Sequence, residues 1–225
     1  VSTGTGLILI EEDSTNTIVD GDSACKALTW QETHDAIEAM KEAKVFITGF
    51  GMPFRKALDG AKIAKEEYNM TTLCNVSPLP SEEMGDLSYL DYMVLNDIEA
   101  FALCGLEENA DVPYLDVLKQ LQEKYHCKGV VMTCNSKGSA ILDGDTYWEV
   151  APTPVKAVDT IGAGDGYLAA VAACLVWGMD MKEATQWASK YAAYKVTRQG
   201  SMTRKPGCGY PEKKEVDAFM ASLQQ

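Results

Sequence analysis

Short apolar runs alternate with longer segments of helical spacing from about Ala27 onward. The strand-like runs lie at residues 45–48, 70–75, 92–95 and 129–133. Residues 53–68, 98–103 and 112–125 instead carry apolar side chains at the intervals of a helix with one buried face. Because strands and helices alternate, the pattern predicts a parallel sheet with helices on both faces.

The pattern changes at both ends of this region. Residues 139–142 and 147–150 flank an Asp-Gly-Asp turn, which predicts a hairpin, and residues 163–177, 182–197 and 212–223 read as three successive helices. Near the start, residues 7–10 and 17–19 are strand-like and are joined by the polar residues 12–15. With no helix between them, these two runs predict a separate antiparallel hairpin.

Composition narrows the class of protein. The 225 residues are 46% apolar and 24% charged, which suits one substantial globular domain. The net charge is −13, and no long run of Lys and Arg occurs, so a nucleic-acid partner is not expected. An acidic protein that binds an anionic nucleotide must do so locally, with backbone amides, helix N-termini and a divalent metal.

Cysteine usage indicates a reducing compartment. The seven cysteines are scattered and include no C-x-x-C pair, so we expect reduced thiols in a cytoplasmic protein rather than a zinc site. The first residues lack the basic start and apolar run of a signal peptide, and no apolar stretch is long enough to span a membrane.

The segment with the clearest chemistry is D-T-I-G-A-G-D at residues 159–165, directly before a predicted helix. Two glycines at a helix start allow close backbone approach and leave amides free to bind an anion. The acid Asp165 would compete with a phosphate unless it faces another reactant, such as a hydroxyl whose proton it accepts. Alternatively, Asp165 only complements the positive end of the helix.

Other chemistries are not supported. Tyr167 occupies the last position that a dinucleotide-binding G-x-G-x-x-G would need, and no P-loop sequence occurs. The two histidines, His34 and His126, are far apart and have no matching partners, which argues against a metal site or a Ser-His-Asp triad.

Residues 159–165 resemble the D-T-x-G-A-G-D signature of the ribokinase-like (PfkB) carbohydrate kinases. Three further segments follow that family's order: N-D-I-E at residues 96–99, T-C-N-S-K-G at residues 133–138 and V-T-R-Q-G at residues 196–200. Residues 1–4 and 16–19 resemble the lid strands of the ribokinases. The resemblance covers nearly the whole chain.

This resemblance implies a three-layer α/β/α fold with a mostly parallel, Rossmann-like sheet. It divides the chain into remnant β-lid strands at residues 1–25 and a nucleotide-binding and catalytic core at residues 26–225. The implied activity is ATP-dependent phosphorylation of a hydroxymethyl group of a small sugar, with ribose as the first candidate. It also allows a homodimer formed through the lid strands.

Roles are implied residue by residue. Asp165 would be the base, and the amides around Gly162, Ala163 and Gly164 would form an anion hole for the γ-phosphoryl group. Nucleotide contacts are implied at Asn96, Thr133, Asn135, Gly138, Gly164 and Ser189. Two of these segments also have purely structural explanations. Residues 96–99 fit a capping box, and residues 133–138 fit a plain turn between strands.

Metal sites are implied as well. Glu99 would hold Mg²⁺, through water, because Mg²⁺ keeps several waters and takes few carboxylates. Backbone carbonyls of Asp159, Ile161 and Gly200 would coordinate K⁺.

Several features depart from the family pattern. The amino-terminal strand with its sugar-binding Asp, and the glycine-rich segment that ends in a sugar-binding Asn, are absent, and residues 49–53 supply no carboxylate for the sugar. Asn135 replaces a glycine of the nucleotide loop, and Arg204 replaces a small residue near the cation site. The chain is therefore expected to be part of a longer kinase. The alternatives are an inactive or truncated nucleotide-binding relative, and a fructose or nucleoside kinase of the same family.

Overall fold

The computed structural model describes residues 2–10, 16–21, 24–108, 110–202, 205 and 207–223. Its strands are Gly6–Ile10 (β1), Asn16–Asp20 (β2), Val45–Gly49 (β3), Thr71–Asn75 (β4), Tyr92–Asn96 (β5), Gly129–Thr133 (β6), Ser139–Asp143 (β7) and Thr146–Val150 (β8). Its α-helices are Trp30–Ala39 (α1), Phe54–Glu66 (α2), Asp97–Leu103 (α3), Tyr114–Tyr125 (α4), Ala163–Val176 (α5), Met181–Val196 (α6) and Lys213–Ser222 (α7).

The central sheet has the strand order β3-β4-β5-β6-β7-β8. Strands β3 to β6 are parallel, whereas β7 and β8 continue the sheet as an antiparallel hairpin. Asn96, the last residue of β5, pairs with Thr133, the last residue of β6. The carboxyl ends of the parallel strands therefore meet at one edge, which is where open α/β sheets bind their ligands.

The sheet separates two apolar clusters. Met93 and Met132 belong to the cluster beneath α2, α3 and α4, while their neighbours Val94 and Val131 belong to the cluster beneath α5 and α6. This alternation explains why β5 and β6 read as continuous apolar runs, since both of their faces are covered. The predicted three-layer α/β/α architecture is confirmed.

Helix α5 is apolar on nearly every side because it lies between the sheet and α6. Tyr167, Leu168, Val171 and Cys174 are buried in the cluster on that side. Helix α6 starts with a capping box between Asp180 and Glu183, which fixes its first turn. The first turn of α5 has no such side-chain cap, so its amides remain open at the edge of the sheet.

Strands β1 and β2 pair antiparallel, with Leu7 opposite Val19, as the predicted hairpin requires. Three of the apolar side chains are largely exposed: Leu7 is 58%, Leu9 51% and Val19 53% accessible. The connecting residues 12–15, together with Val1 and Arg204, lie outside the described residues. The proposed division of the chain after residue 25 stays a prediction.

Across the described ranges, no helix combines the length and the apolar character that a membrane crossing demands.

Candidate active site

A cleft of about 220 Å³ opens at the carboxyl ends of the parallel strands. Strand β4 and the segment after it, strands β5 and β6, and the start of α5 all contribute to its walls. The polar or small residues that line it are Asn75, Ser77, Asn96, Glu99, Thr133, Thr160, Gly162, Ala163, Gly164 and Asp165. The structure thus brings residues from three of the four sequence motifs into one site.

Gly162, at the N-cap of α5, and Gly164, in its first turn, are glycines for different reasons. Gly162 has a φ of 75° in the left-handed region, and a Cβ there would overlap the Tyr210 hydroxyl. A Cβ on Gly164 would meet no described atom within 4 Å, although Gly164 lines the cleft. Folding requires the first glycine, whereas the second leaves room for a ligand to approach the backbone.

The amides of this turn are only partly engaged. The Ala163 amide donates to the Thr160 carbonyl at 3.1 Å, and the Gly166 amide donates to the Gly162 carbonyl at 2.9 Å. Within the described part of the chain, the amides of Gly164 and Asp165 have no backbone acceptor outside the helix, as expected for a first turn. They are available to an anion in the cleft.

Asp165 is exposed, and it lines the cleft in the first turn of α5. Its carboxylate does not cap its own helix, because α5 has Gly162 at its N-cap and no side-chain cap bond. The position still benefits from the positive end of the helix. The Asp165 carboxylate also lies beside the open amides of the same turn. A carboxylate can accept a proton and amides can bind an anion, so both groups could act on reactants bound in one cleft.

Asn96 and Glu99 form the capping box that the sequence left as an alternative. The Asn96 Oδ1 accepts from the Glu99 amide at 2.8 Å, and the Glu99 Oε2 accepts from the Asn96 amide at 2.8 Å. Both residues nevertheless line the cleft and are half-buried. The box fixes the Glu99 carboxylate in place, and it engages only one of its two oxygens among the described residues.

In the segment from the end of β6 to the start of β7, one residue lines the cleft and the others lie outside it. Thr133 lines the cleft, and its hydroxyl donates to the Leu95 carbonyl at 3.4 Å. Asn135 is exposed with a φ of 48°, a left-handed conformation that Asn tolerates where glycine is usual. Gly138 has a φ of 98°, and a Cβ there would overlap the Val150 carbonyl oxygen. Asn135 and Gly138 do not line the cleft, and packing against the end of β8 accounts for Gly138.

Asp159 fastens the segment that leads into α5. Its Oδ1 accepts from the Ile161 amide at 2.9 Å, and its Oδ2 accepts from the Gly200 amide at 2.7 Å. Burial raises the pKa of Asp159, but these two amides and the Lys195 charge outweigh it and bring the pKa below its ordinary value. Asp159 therefore acts as a charged staple between two distant segments.

Lys195 was not singled out from the sequence, and it is fully buried. Its Nζ donates to the Asp159 carbonyl at 3.2 Å and also to the Ile161 carbonyl. These are two of the three carbonyls to which the resemblance assigned K⁺. The donor set around them does not suit a metal cation, because an ammonium group already occupies the direction in which both oxygens point.

A signal for Lys195 does exist in the sequence. Ala184, Ala188 and Lys195 recur at helical intervals, so the spacing places Lys195 on the buried face of α6. The cleft residues Asn75 and Ser77 were missed as well, although Asn75 ends a predicted parallel strand and Ser77 lies two residues later. Tyr210 gave no signal, since its place beneath Gly162 depends on the folding of the chain after α6.

Ser189 and Arg198, on α6 and just after it, do not line the cleft. Ser189 lies half-buried on α6. Arg198 is buried, and its guanidinium donates to the Gly209 carbonyl at 2.9 Å and pairs with Glu215 at 2.9 Å. Arg198 thereby joins the end of α6 to helix α7.

A second open cleft of about 420 Å³ lies beside α3 and the start of α4. It is lined by acidic residues and Lys137, and by none of the residues to which the resemblance assigned a role. The chemistry assembled at the first cleft has no counterpart there.

Curated sugar kinases are similar to this sequence over most of its length. Ribokinase of Dictyostelium discoideum is 22% identical over 233 residues, which cover 96% of this chain and 72% of the relative. Deoxyribokinase of Salmonella typhimurium is 26% identical over 208 residues, covering 91% and 67%.

Solved structures show the same fold. Arabidopsis thaliana ribokinase complexed with ribose and ATP superposes with a TM-score of 0.83 at 22% identity, over 96% of this chain and 69% of that one. Thermotoga maritima ribokinase superposes with a TM-score of 0.81 at 24% identity, over 97% and 70%. The profile of the pfkB family carbohydrate kinases matches residues 1–207. The chain therefore belongs to the pfkB family of carbohydrate kinases.

Proposed function

We propose that this protein transfers the γ-phosphoryl group of ATP to a hydroxymethyl group of a small sugar, with ribose as the first candidate. The observation that carries the proposal is the position of Asp165, whose exposed carboxylate lines one cleft with the open amides of α5. Asp165 accepts the hydroxyl proton as the sugar oxygen attacks phosphorus, and the bond between phosphorus and the β–γ bridging oxygen breaks to release ADP.

The start of α5 supplies the complementary charge. As phosphorus is transferred, negative charge spreads over its equatorial oxygens, and amides that point into the cleft stabilise it without reorganising. The Gly164 amide is the strongest candidate because the glycine has open space on its Cβ side. Gly162 and Ala163 shape the turn that presents this amide.

Asn96 and Glu99 fit a role in holding Mg²⁺ with the nucleotide. Their oxygen atoms are the ligand type that Mg²⁺ prefers, and Glu99 keeps one carboxylate oxygen outside its capping box. When bound, Mg²⁺ would neutralise phosphate charge. The cleft needs this, because Glu99 and Asp165 line it and, among the described residues, no Lys or Arg does. We also retain Thr133, Asn135, Gly138 and Ser189 as proposed nucleotide contacts.

Ribose is proposed from the similarity of this chain to known kinases and not from the residues of the cleft. Relatives named ribokinase and deoxyribokinase favour a pentose. A fructose or nucleoside acceptor is the competing reading, and a Burkholderia thailandensis nucleoside kinase in complex with inosine shares the fold at a TM-score of 0.74. The test is an ADP-release assay of the full-length protein with ribose, deoxyribose, fructose and nucleosides. Sugar-dependent ADP release with ribose highest supports the proposal, whereas a nucleoside or fructose as preferred acceptor replaces ribose.

A nucleotide-binding relative without turnover is the second candidate. It is favoured by the absence of a carboxylate in residues 49–53, where a sugar contact was expected. Calorimetry with ATP, run beside the ADP-release assay, separates the two: binding without ADP release for any acceptor supports this second candidate.

We propose further that the β1–β2 hairpin forms a homodimer contact. Leu7, Leu9 and Val19 are more than half exposed, and an exposed apolar hairpin is a pairing surface. Sedimentation of wild type and a Leu7→Asp, Leu9→Asp variant tests this, since dimers that survive both changes rule out the hairpin. A cytoplasmic location is proposed from the thiols of Cys74, Cys127, Cys134 and Cys174, which are buried.

A further inference from the structure

Among the described lysines only Lys195 is buried, and its ammonium group contacts the segment that leads into the proposed anion site. Lys195 has no accessible surface, and its Nζ donates to the carbonyls of Asp159 and Ile161, which stand immediately before Gly162. A side chain that is buried, charged and bonded only to carbonyl oxygens is costly to fold, so its position needs a reason.

The environment of the ammonium group resembles a site for a monovalent cation. Carbonyl dipoles converge on one positive charge, and the carboxylates of Asp159 and Asp165 add favourable negative potential. Burial nevertheless lowers the pKa of Lys195, against the effect of these two carboxylates. An ammonium group and a potassium ion carry the same charge and are of similar size, so either can satisfy this pair of oxygens.

The segment that Lys195 holds is tied to the end of α6 by the backbone as well. The amides of Val158 and Asp159 both donate to the Val196 carbonyl, at 2.7 and 3.0 Å. The Asp159 carboxylate then bridges to the Gly200 amide. Lys195 adds two bonds to this set, to the carbonyls of Asp159 and Ile161, so the segment before Gly162 is held through its amides, a carboxylate and its carbonyls.

We infer that the Lys195 side chain replaces a bound monovalent cation, so that this protein orders its anion-binding turn without potassium. Lys195 is a positioning residue in this inference, because it acts on the turn and does not touch the reactants. The inference rests on the proposed function in one respect, namely that the turn binds the phosphoryl group. The ordering itself is measurable without turnover.

The wild-type protein provides the first test. Hydrogen–deuterium exchange of peptides covering residues 158–166, and the ATP dissociation constant, are measured in KCl, NaCl and choline chloride at equal ionic strength. We expect exchange rates that do not depend on the cation and dissociation constants that agree within about twofold, since no ion enters the site. Protection or affinity that rises specifically with K⁺ overturns the inference.

The second test creates room for an ion. In Lys195→Ala, exchange at residues 158–166 should accelerate and ATP affinity should fall roughly tenfold, as two carbonyls lose a charged donor. Added K⁺ or NH₄⁺ should restore both, and Li⁺ should not. Lys182→Ala, on the exposed side of the same helix, is the matched control and should behave as wild type.

The outcomes test the role of Lys195 and the proposed kinase activity separately. Loss of order that K⁺ or NH₄⁺ reverses supports Lys195 as the internal cation, because a purely structural lysine would not be replaced by an ion. Loss that no cation reverses overturns the inference. Where Lys195→Ala does not fold, the wild-type cation series decides alone. If the exchange results hold but no acceptor releases ADP, the proposed kinase activity fails while the role of Lys195 stands.

Discussion

Gly162 and Tyr210 are in such close contact that a Cβ on the glycine would overlap the tyrosine hydroxyl. The contact lies at the N-cap of α5, where Gly162 also has a left-handed φ of 75°. Two independent constraints therefore fix a glycine at this position, and neither of them involves a ligand.

Alanine at the two neighbouring glycines should separate folding from function. Gly162→Ala should destabilise the protein by roughly 2–4 kcal/mol through left-handed strain and overlap with Tyr210. Gly164→Ala should leave stability equal or raise it by up to about 0.5 kcal/mol, yet weaken ATP binding, because its methyl group enters the cleft. Thermal unfolding and calorimetry measure the two effects. Unchanged ATP affinity in Gly164→Ala would contradict the anion site.

Removing the proposed base should abolish chemistry but not binding. Asp165→Asn keeps the shape of the side chain and loses the proton acceptor, so kcat should fall about 10²–10⁴-fold while ATP affinity stays within about threefold. Steady-state kinetics and calorimetry on one preparation give both numbers. The matched control is Asp145→Asn in the exposed turn between β7 and β8, which should retain full activity. Wild-type turnover in Asp165→Asn would exclude it as the base.

The Glu99 carboxylate can be neutralised without breaking its capping box. Glutamine still accepts from the Asn96 amide, so Glu99→Gln should fold normally. If Glu99 holds Mg²⁺ through water, the Mg²⁺ concentration for half-maximal activity should rise roughly 10–100-fold. Glu183→Gln changes the equivalent position of the α6 capping box, away from the cleft, and should not alter the Mg²⁺ requirement. An equal change in both variants would mean that only helix stability was affected.

Low pH should weaken the hydrogen bonds by which the Asp159 carboxylate joins the Ile161 and Gly200 amides. Its folded-state pKa is lowered, so its stabilisation is complete above the unfolded value of about 3.9 and is lost as pH falls through the folded pKa. Asp159→Asn should therefore melt below wild type near neutral pH, by roughly 1 kcal/mol, and the difference should shrink below about pH 4. Melting curves across this range test the sign. A difference that persists unchanged at pH 3 would show that the charge is irrelevant.

Continuous apolar runs between helical segments predicted the strands of the core well, because helices cover both faces of the sheet. The run at residues 92–95 was predicted as a strand, and the structure has it as β5. The resemblance implied Asn96 and Thr133 as nucleotide contacts, and both residues lie at the carboxyl ends of paired parallel strands. Asn135 shows where it stopped: its exposed turn moves the residue away from the cleft, although a sequence motif placed it with Thr133.

The contacts that could not be predicted join residues far apart in the chain. Lys195 contacts carbonyls of Asp159 and Ile161, and only the packing of α6 against the preceding segment brings them together. Backbone carbonyls carry no side-chain identity, so a site built from them leaves no mark in the sequence. The resemblance implied these carbonyls as K⁺ ligands, and in the structure the Lys195 ammonium group donates to two of them.

The pairing of Arg198 with Glu215 has a practical consequence for protein engineering. Arg198 is buried and relies on α7 for its carboxylate partner, while the neighbouring Gly200 amide is held by Asp159. A truncation that removes α7 would strand a buried guanidinium two residues from the staple. Fusion partners and shortened expression variants should therefore keep this helix intact, since its loss would loosen the turn at the start of α5 from a distance.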